Sequence, residues 1–559
     1  MEIKIQGDDV RVYESGLKLL KLKSDLSARI GALVSSGKDY VSFPASALHS
    51  VNDLLSVEGS IADVEVDNQL EKFKRHETAR SNALSIMEGE VTPELPKHWQ
   101  NILDPAQLTA TAAMIVPDLL GLCLFDEQGS GKTVMTIASF DILKDQGEID
   151  AMIVVCPKSM ISEWPKDISK FCTDKYTIVT AEGNRKQKYE AALKDFDVLV
   201  TNYEGVEAML VSLMASASSR KFLLVIDESY YLKNSESVRS EHTSRLRSKC
   251  KRCFVLCGTP APNTAHDLIN QFDLADLGFT FGAFKKSRDP EADWYKIASL
   301  TDSRGLFIRR LKTDILQHVP EKNFHVLRVE LTGKQKLMYE SARSELELEL
   351  KNLNNETFKK KLVTYFQKRA ALLQICSCPG AIDPTLSEAP AKYQVLDKLL
   401  HDLISQGRKV IIWSFYKKSL DEIGARYMQY NPVRVDGSIP ANLRKDAVKL
   451  FQEDPHTMLF IGNPAAAGAG ITLHSSYDAV YFSYSNQAAH YLQSLDRIHR
   501  RGQASDEVNY YLLICKDTIE ETEVVRLRGK EIRQHDLLGD HIKWPTSLDD
   551  ALNELETHE

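Results

Sequence analysis

Two sets of five short apolar runs constrain the fold of this chain more than any other feature of its sequence. The first set is GLCLF (121–125), AMIVVC (151–156), DVLVTNY (197–203), KFLLVIDE (221–228) and RCFVLCGT (252–259). The second is KVIIWSF (409–415), VRVDG (433–437), TMLFIGN (457–463), AVYFSY (479–484) and NYYLLIC (509–515). Continuous Val/Ile/Leu runs, unlike alternating ones, mark strands buried on both faces, as in a parallel sheet. Helical patterns at 132–145, 185–194, 417–429 and 440–452 separate many of them, which is the alternation of a doubly wound domain. The expected fold class is therefore α/β, with two tandem doubly wound parallel-sheet domains at 98–320 and 392–535.

Between these domains, 333–378 reads as long charged helix, with Glu345, Glu347 and Glu349 near the cluster Lys359, Lys360 and Lys361. The proline-broken stretch 377–390 follows, so 321–391 is expected to be a helical insertion and linker. Residues 1–97 form a small α+β unit: EIKIQ and VRVYE are strand-like, Tyr13 to Leu33 is helical, and Val66 to Met87 is a polar helix. Residues 536–559 remain as a C-terminal tail.

Composition removes several classes. At 559 residues the prior is roughly two to four domains. An apolar share of 43% can fill several cores, and a charged share of 26% without low-complexity tracts excludes a disordered or fibrous chain. Nine scattered cysteines do not form a secreted disulfide framework. The longest apolar stretch, Ala112 to Phe125, is broken by Pro117 and Asp118, whereas a membrane span needs about 20 residues. A soluble intracellular protein with no membrane partner is expected. The net charge of −8 means that any nucleic-acid partner must be met by local basic patches.

The sharpest local signal is Asp126-Glu127-Gln128-Gly129-Ser130-Gly131-Lys132-Thr133, which follows a strand and opens a helix. Backbone N–H groups of such a turn surround phosphate oxygens at a positive helix N-terminus. Lys132 then reaches the β/γ-phosphates, and the Thr133 hydroxyl is a ligand for Mg²⁺. Asp126 stands where the strict pattern asks for glycine, and a tight turn with a solvated lysine is the competing reading. Asp227 and Glu228 end a buried run, where α/β sheets place their ligands. Asp227 is the expected Mg²⁺ holder and Glu228 the group that polarises the attacking water. A solvated strand end is the competing reading of that pair. Cys250, Cys253 and Cys257 lack the second ligand pair a zinc site needs, and Cys376 and Cys378 are less suitable still.

The order of motifs resembles the SNF2 (Swi2/Snf2) branch of superfamily 2 helicase-like ATPases over roughly 98–535. DEQGSGKT is similar to that branch's DEMGLGKT, and VVCPKSMISEWPKDISKF (154–171) and VTNYE (200–204) look like motifs Ia and Ib. DESYYLKN (227–234) stands where DEAHRLKN would, and LCGTPAPN (256–263) resembles LTGTPIQN. LFIRRLKTDIL followed by VPEK (306–322) matches the family's RRTK segment, and VELTGKQKLMYE (329–340) its Q-x-x-x-Y segment. In the second domain 433–451, 463–476 and 491–503 match motifs IV/Va, V and VI. The likeness is closer to compact microbial or phage-type members than to large remodellers. It implies RecA-like folds for both α/β domains.

The resemblance also implies roles. Gln107 reads adenine, and Gln128, Gly129, Ser130, Gly131, Lys132, Thr133, Gly470 and Gln493 hold ATP with Mg²⁺. Arg497 and Arg500 occupy the arginine-finger positions, although their i, i+3 spacing fits a solvated helix face equally well. DNA contacts fall on Lys158, Ser159, Thr201, Asn202, Arg309, Arg310 and Ser414, mostly to phosphates and without sequence reading. The implied activity is ATP-dependent translocation on double-stranded or branched DNA, with repair or recombination as its setting. Residues 1–97 offer a surface for a protein partner. The expected location is cytoplasmic, with the nucleoid or in a phage-infected host. Rival readings are a strand-separating helicase, the motor of a restriction or defence complex, and an ATP-gated DNA clamp with little turnover. The chain departs from the family pattern at Ser229 and Tyr230, which replace Ala-His, and at Ser130, which replaces leucine. YFSYSNQAAHYLQ also lacks the tryptophan that remodellers carry there.

Overall fold

The computed structural model describes residues 1–533 apart from 7–8, 31–33, 57–60, 92–93, 262–263, 283, 285, 288, 311–319, 387, 467–470, 485–487 and 500–502. The chain divides into two units, Met1–Ile315 and Leu316–Glu559.

In the first unit seven strands lie in the order Phe307–Ile308, Gly121–Leu124, Arg252–Leu256, Phe222–Asp227, Ala151–Cys156, Val198–Asn202 and Ile178–Ala181. Every pairing is parallel. Ala151–Cys156 and Val198–Asn202 are buried along their whole length, as the unbroken apolar runs require. The two edge strands escaped the sequence pattern for a physical reason. One is only two residues long, and the other is half-exposed. Parallel pairing brings the ends of all seven strands to one edge of the sheet, which is what positions the site.

The first unit also holds a mixed five-stranded sheet, ordered Ser35–Ser36, Tyr40–Pro44, Asp9–Tyr13, Glu2–Gln6 and Ile61–Ala62. The helix Val64–Met87 starts from an Asp63 cap, whose carboxylate accepts from the Val66 N–H at 2.9 Å and the Ile5 N–H at 3.2 Å. Its Val66 enters the core of the small sheet, whereas Ala79, Ala83 and Ile86 enter the core beneath the seven-stranded sheet. One helix serving two cores explains why its sequence reads as polar with no single apolar stripe. His76 on this helix accepts from the Leu120 N–H at 3.2 Å, and burial pushes its imidazole down to about 3, so it stays neutral.

Asp276 ends the helix Ile269–Asp276 and is buried, accepting from the Gly278 N–H at 3.1 Å and the Thr280 N–H at 3.2 Å. Burial pushes its carboxyl up to about 6. The folded state thus holds this proton more tightly than the unfolded chain, where an aspartate titrates near 4. Its contribution is present at low pH and is lost as pH rises through 6. The Asp276→Asn variant is expected to lose less stability than the parent between pH 4 and pH 7. Urea midpoints across that range check the difference, and parallel curves would count against it.

In the second unit six parallel strands lie in the order Glu321–Val329, Glu507–Cys515, Asp478–Tyr481, Val410–Trp413, Leu459–Gly462 and Val433–Val435. The segment expected to open a helical insertion therefore starts as a nine-residue edge strand. Charged and polar residues interrupt its apolar ones and Val326 is itself exposed, so no buried apolar run advertises it, and pairing along its whole length with Glu507–Cys515 supplies the missing determinant. The helices Gly333–Lys351, Asn355–Lys360 and Leu362–Ser377 follow, as the charged pattern predicts. Gln335 and Tyr339 lie four apart on one helix face, and both are buried. Gln335 Nε2 donates to the Ile375 carbonyl at 2.8 Å, and the Tyr339 hydroxyl accepts from the Ile519 N–H at 2.8 Å. That is the structural use of the Q-x-x-x-Y segment. Among the described residues no helix is long and apolar enough to cross a membrane.

Candidate active site

The phosphate-type loop leaves the buried strand Gly121–Leu124 and enters the helix Lys132–Asp145. Gly131 caps that helix at φ +91°, and a Cβ there would lie 2.3 Å from Gln107 Nε2, so only glycine fits. Gln107 closes a capping box with Asp104 and donates from Nε2 to the Ser130 carbonyl at 2.9 Å. Its amide thus ties the helix Pro105–Met114 to the loop. Gly129 also has positive φ, at +89°. Lys132 Nζ donates to the carbonyls of Asp126 at 2.7 Å and Glu127 at 3.0 Å, which curls its side chain over the loop. Ser130 Oγ is buried with no hydrogen-bond partner among the described residues. Thr133 sits in the first helical turn beside these groups.

The carboxylates arrive from the strand Phe222–Asp227. Burial raises the Asp227 carboxyl above its ordinary value, while the Trp164 indole N–H, donating at 3.0 Å, and the charge of Lys132 pull it back. Glu228 has φ +55°, a left-handed conformation uncommon outside glycine, and is only 8% exposed. Gln128 Nε2 donates to Glu228 Oε1 at 3.1 Å, so the two expected motifs meet directly. The Tyr203 hydroxyl donates to the carbonyls of Asp227 and Glu228, holding the strand end. Gly258 closes the pocket from the next strand: a Cβ there would lie 2.8 Å from Gln128 Cγ and 3.7 Å from Lys132 Nζ. Thr259, buried beside it, has a hydroxyl with no partner among the described residues.

Backbone N–H groups at a helix start, a lysine, two orphan hydroxyls and two carboxylates suit a polyphosphate with a hard divalent cation. Thr133 and Asp227 are the oxygen donors able to hold that cation. Sequence reasoning missed Trp164, Tyr203 and Gln271. The first two lie inside segments it had singled out, but nothing local marks them as supports.

The expected DNA contacts separate into two groups. Lys158 and Ser159 are exposed on a turn after Ala151–Cys156. Thr201, Asn202 and Ser414 are buried, with Asn202 Oδ1 accepting from Lys188 Nζ at 2.8 Å and the Ser414 hydroxyl 2.9 Å from that of Ser483. Both hydroxyl residues and Asn202 end sheet strands or follow them closely, where packing takes up the side chain. Arg309 and Arg310 also turn inward. Arg309 donates to the Phe125 carbonyl at 3.0 Å, and Arg310 forms a two-pronged ion pair with fully buried Asp126. Asp126 therefore lies behind the phosphate loop, which is why glycine is not needed there.

In the second unit Gln493 and Arg497 are buried, and Arg497 Nη1 donates to the Ile471 carbonyl at 3.1 Å. Gly470 and Arg500 lie outside the described residues. Cys250, Cys253 and Cys257 are free and buried. Among the described residues Cys376, Cys515 and Glu520 bring ligand atoms within 4.8 Å of one another. Glu520 there already accepts from Lys392 Nζ at 2.6 Å and the Cys515 N–H at 2.8 Å, and a metal ion would face that ammonium.

The chain is 27% identical over 457 residues to the CHD3-type chromatin-remodeling factor CHR7 of Arabidopsis thaliana, covering 77% of this chain and 37% of that protein. It is 28% identical over 440 residues to the ISWI chromatin-remodeling complex ATPase ISW1 of Saccharomyces cerevisiae, covering 73% and 38%. The chain thus spans less than two fifths of the length of these curated relatives. A solved structure described as the Sulfolobus solfataricus SWI2/SNF2 ATPase core in complex with dsDNA aligns at 22% identity and a TM-score of 0.36, covering 81% of this chain and 96% of that one. The family model for the helicase conserved C-terminal domain matches residues 391–502. The model for the SNF2-related domain matches residues 48–381, starting well before the motifs themselves. That match alone takes in more than half of the chain and every element that builds the loop and its carboxylates, so the protein belongs to the SNF2-related family of helicase-like ATPases.

Proposed function

We propose that the protein hydrolyses ATP with Mg²⁺ in response to DNA and moves along the duplex without generally separating its strands. The observation that carries this reading is the direct bond from Gln128 to Glu228, beside Lys132 and Asp227, in a chain of this family. Bound Mg²⁺ would neutralise phosphate charge. Lys132 exchanges its two carbonyl partners for phosphate oxygens, and the N–H groups of 129–133 enclose them. Glu228, oriented by Gln128 and by its left-handed backbone, takes a proton from the attacking water. Gln493, Arg497, Gly470 and Arg500 complete the nucleotide-handling set on the resemblance alone. Lys158 and Ser159 are the DNA-phosphate contacts that exposure favours. Residues 1–97 serve as the recognition module, and the site of action is inside the cell.

Steady-state ATP hydrolysis with no nucleic acid, single-stranded DNA, blunt duplex and a branched fork tests this, with Lys132→Ala as the blank. Duplex or fork is expected to raise turnover severalfold, and the blank to remain flat. A parent rate equal to the blank on every DNA would overturn the reading.

A further inference from the structure

The strand end that carries Glu228 is tied to the Gly258-Thr259-Pro260 loop by side chains outside the expected catalytic set. Ser229 is fully buried, and its hydroxyl donates to Gln271 Oε1 at 2.5 Å. Gln271 is also fully buried, and its Nε2 donates to the Pro260 carbonyl at 2.6 Å and the Asp267 carbonyl at 2.7 Å. Cys257, immediately before that loop, is free and buried. Tyr230 itself stacks on Tyr231 with ring centroids 4.4 Å apart.

Two features give these ties a direction of action. Upstream, Glu228 sits at φ +55° with its carboxylate on Gln128, so a change at the phosphate loop that moves Gln128 acts on a turn already held in a sparsely populated conformation. Ser229 is the next residue, and its hydroxyl passes any rotation of that turn to one amide. Downstream, the loop that Gln271 holds presents Thr259, whose buried hydroxyl has no partner among the described residues. Packing alone does not call for a glutamine here, because an apolar side chain of the same length fills the space without three polar bonds.

We propose that Ser229 and Gln271 are positioning residues that transmit nucleotide state from Glu228 to the Gly258-Thr259-Pro260 loop. The proposal rests on the DNA-stimulated ATPase reading above and deepens it: contacts at the two ends of this link set how strongly DNA and ATP affect one another. Such coupling is reciprocal, so its loss lowers the response to DNA while hydrolysis without DNA persists.

The test measures ATP turnover and the KM for ATP of the full chain, with and without blunt duplex DNA. The variants are Ser229→Ala, Gln271→Met and the double substitution. Each single variant is expected to lose most of the severalfold DNA stimulation, within the usual range of coupling strengths. Turnover without DNA and the KM for ATP are expected to stay near the parent values. The double variant should be no worse than either single one, because the two residues form one series link. Should Gln271→Met fail to fold, Ser229→Ala against the parent still decides. Unchanged stimulation in Ser229→Ala, losses that multiply in the double variant, or an equal fall in turnover without DNA would each overturn the link. A parent enzyme indifferent to DNA overturns the wider reading and the link together. A stimulated parent with equally stimulated variants sinks the link alone.

Discussion

Glu228→Gln is expected to slow ATP turnover by about 10²–10⁴-fold, the usual cost of removing a positioned general base. The substitution keeps the size of the side chain and leaves an oxygen to accept from Gln128 Nε2, so the contact between the two motifs survives. Nothing in it disturbs the left-handed backbone at 228, which the Tyr203 hydroxyl holds through the Asp227 and Glu228 carbonyls. What it removes is the capacity to take a proton. Nucleotide affinity should therefore remain close to the parent value while single-turnover hydrolysis collapses. Fluorescent-nucleotide titration and a quenched single-turnover assay separate the two. A variant that hydrolyses at near-parent rate would remove Glu228 from the chemistry, and one that fails to bind nucleotide would make its role structural.

Arg310→Ala is expected to destabilise the first unit by about 3–5 kcal/mol, the cost of stranding one partner of a buried ion pair. Asp126 has no exposed surface, and it accepts from the Arg310 guanidinium on both oxygens and from the Arg310 backbone N–H at 2.8 Å. The same guanidinium reaches the Ala106 carbonyl, next to the Gln107 that holds Ser130. Truncating it leaves an anion without a countercharge directly behind the phosphate loop. Asp126→Asn in the same background relieves that charge and should recover part of the loss. Denaturant unfolding followed by tryptophan fluorescence checks both variants, since Trp99 and Trp164 are buried in the core of this unit. An Arg310→Ala protein as stable as its parent but poor at binding DNA would return Arg310 to the role its motif first suggested.

These contrasts show what could be read from residue order and what could not. The parallel sheets were legible because a strand covered on both faces must be apolar throughout, and that requirement is local. The glycine turn at Lys132 and the strand end at Asp227 and Glu228 were legible as elements for a similar reason: a glycine turn before a helix and acids at a strand end are marked within a few residues. The partner of Asp126 lies 184 residues away, and that of Ser229 lies 42 away. Neither separation leaves a periodicity or a spacing to detect. The strand Glu321–Val329 was hidden in the same way, since its half-exposed residues become a strand only when Glu507–Cys515 lies alongside. Burial of Thr201, Asn202 and Ser414 was also unreadable, because a polar residue at a strand end faces solvent or the packing beneath it according to what the neighbouring strands bring.

The sequence by itself thus determined the sheet type, the order of the motifs and the family to which they belong. Only the tertiary structure decided which cations face outward, which are spent on buried carboxylates, and how the turn at Glu228 is tied to its neighbour. The division follows from physics. Backbone conformation and hydrophobic periodicity are set by adjacent residues, whereas desolvation and charge pairing depend on whatever the fold brings within a few ångströms.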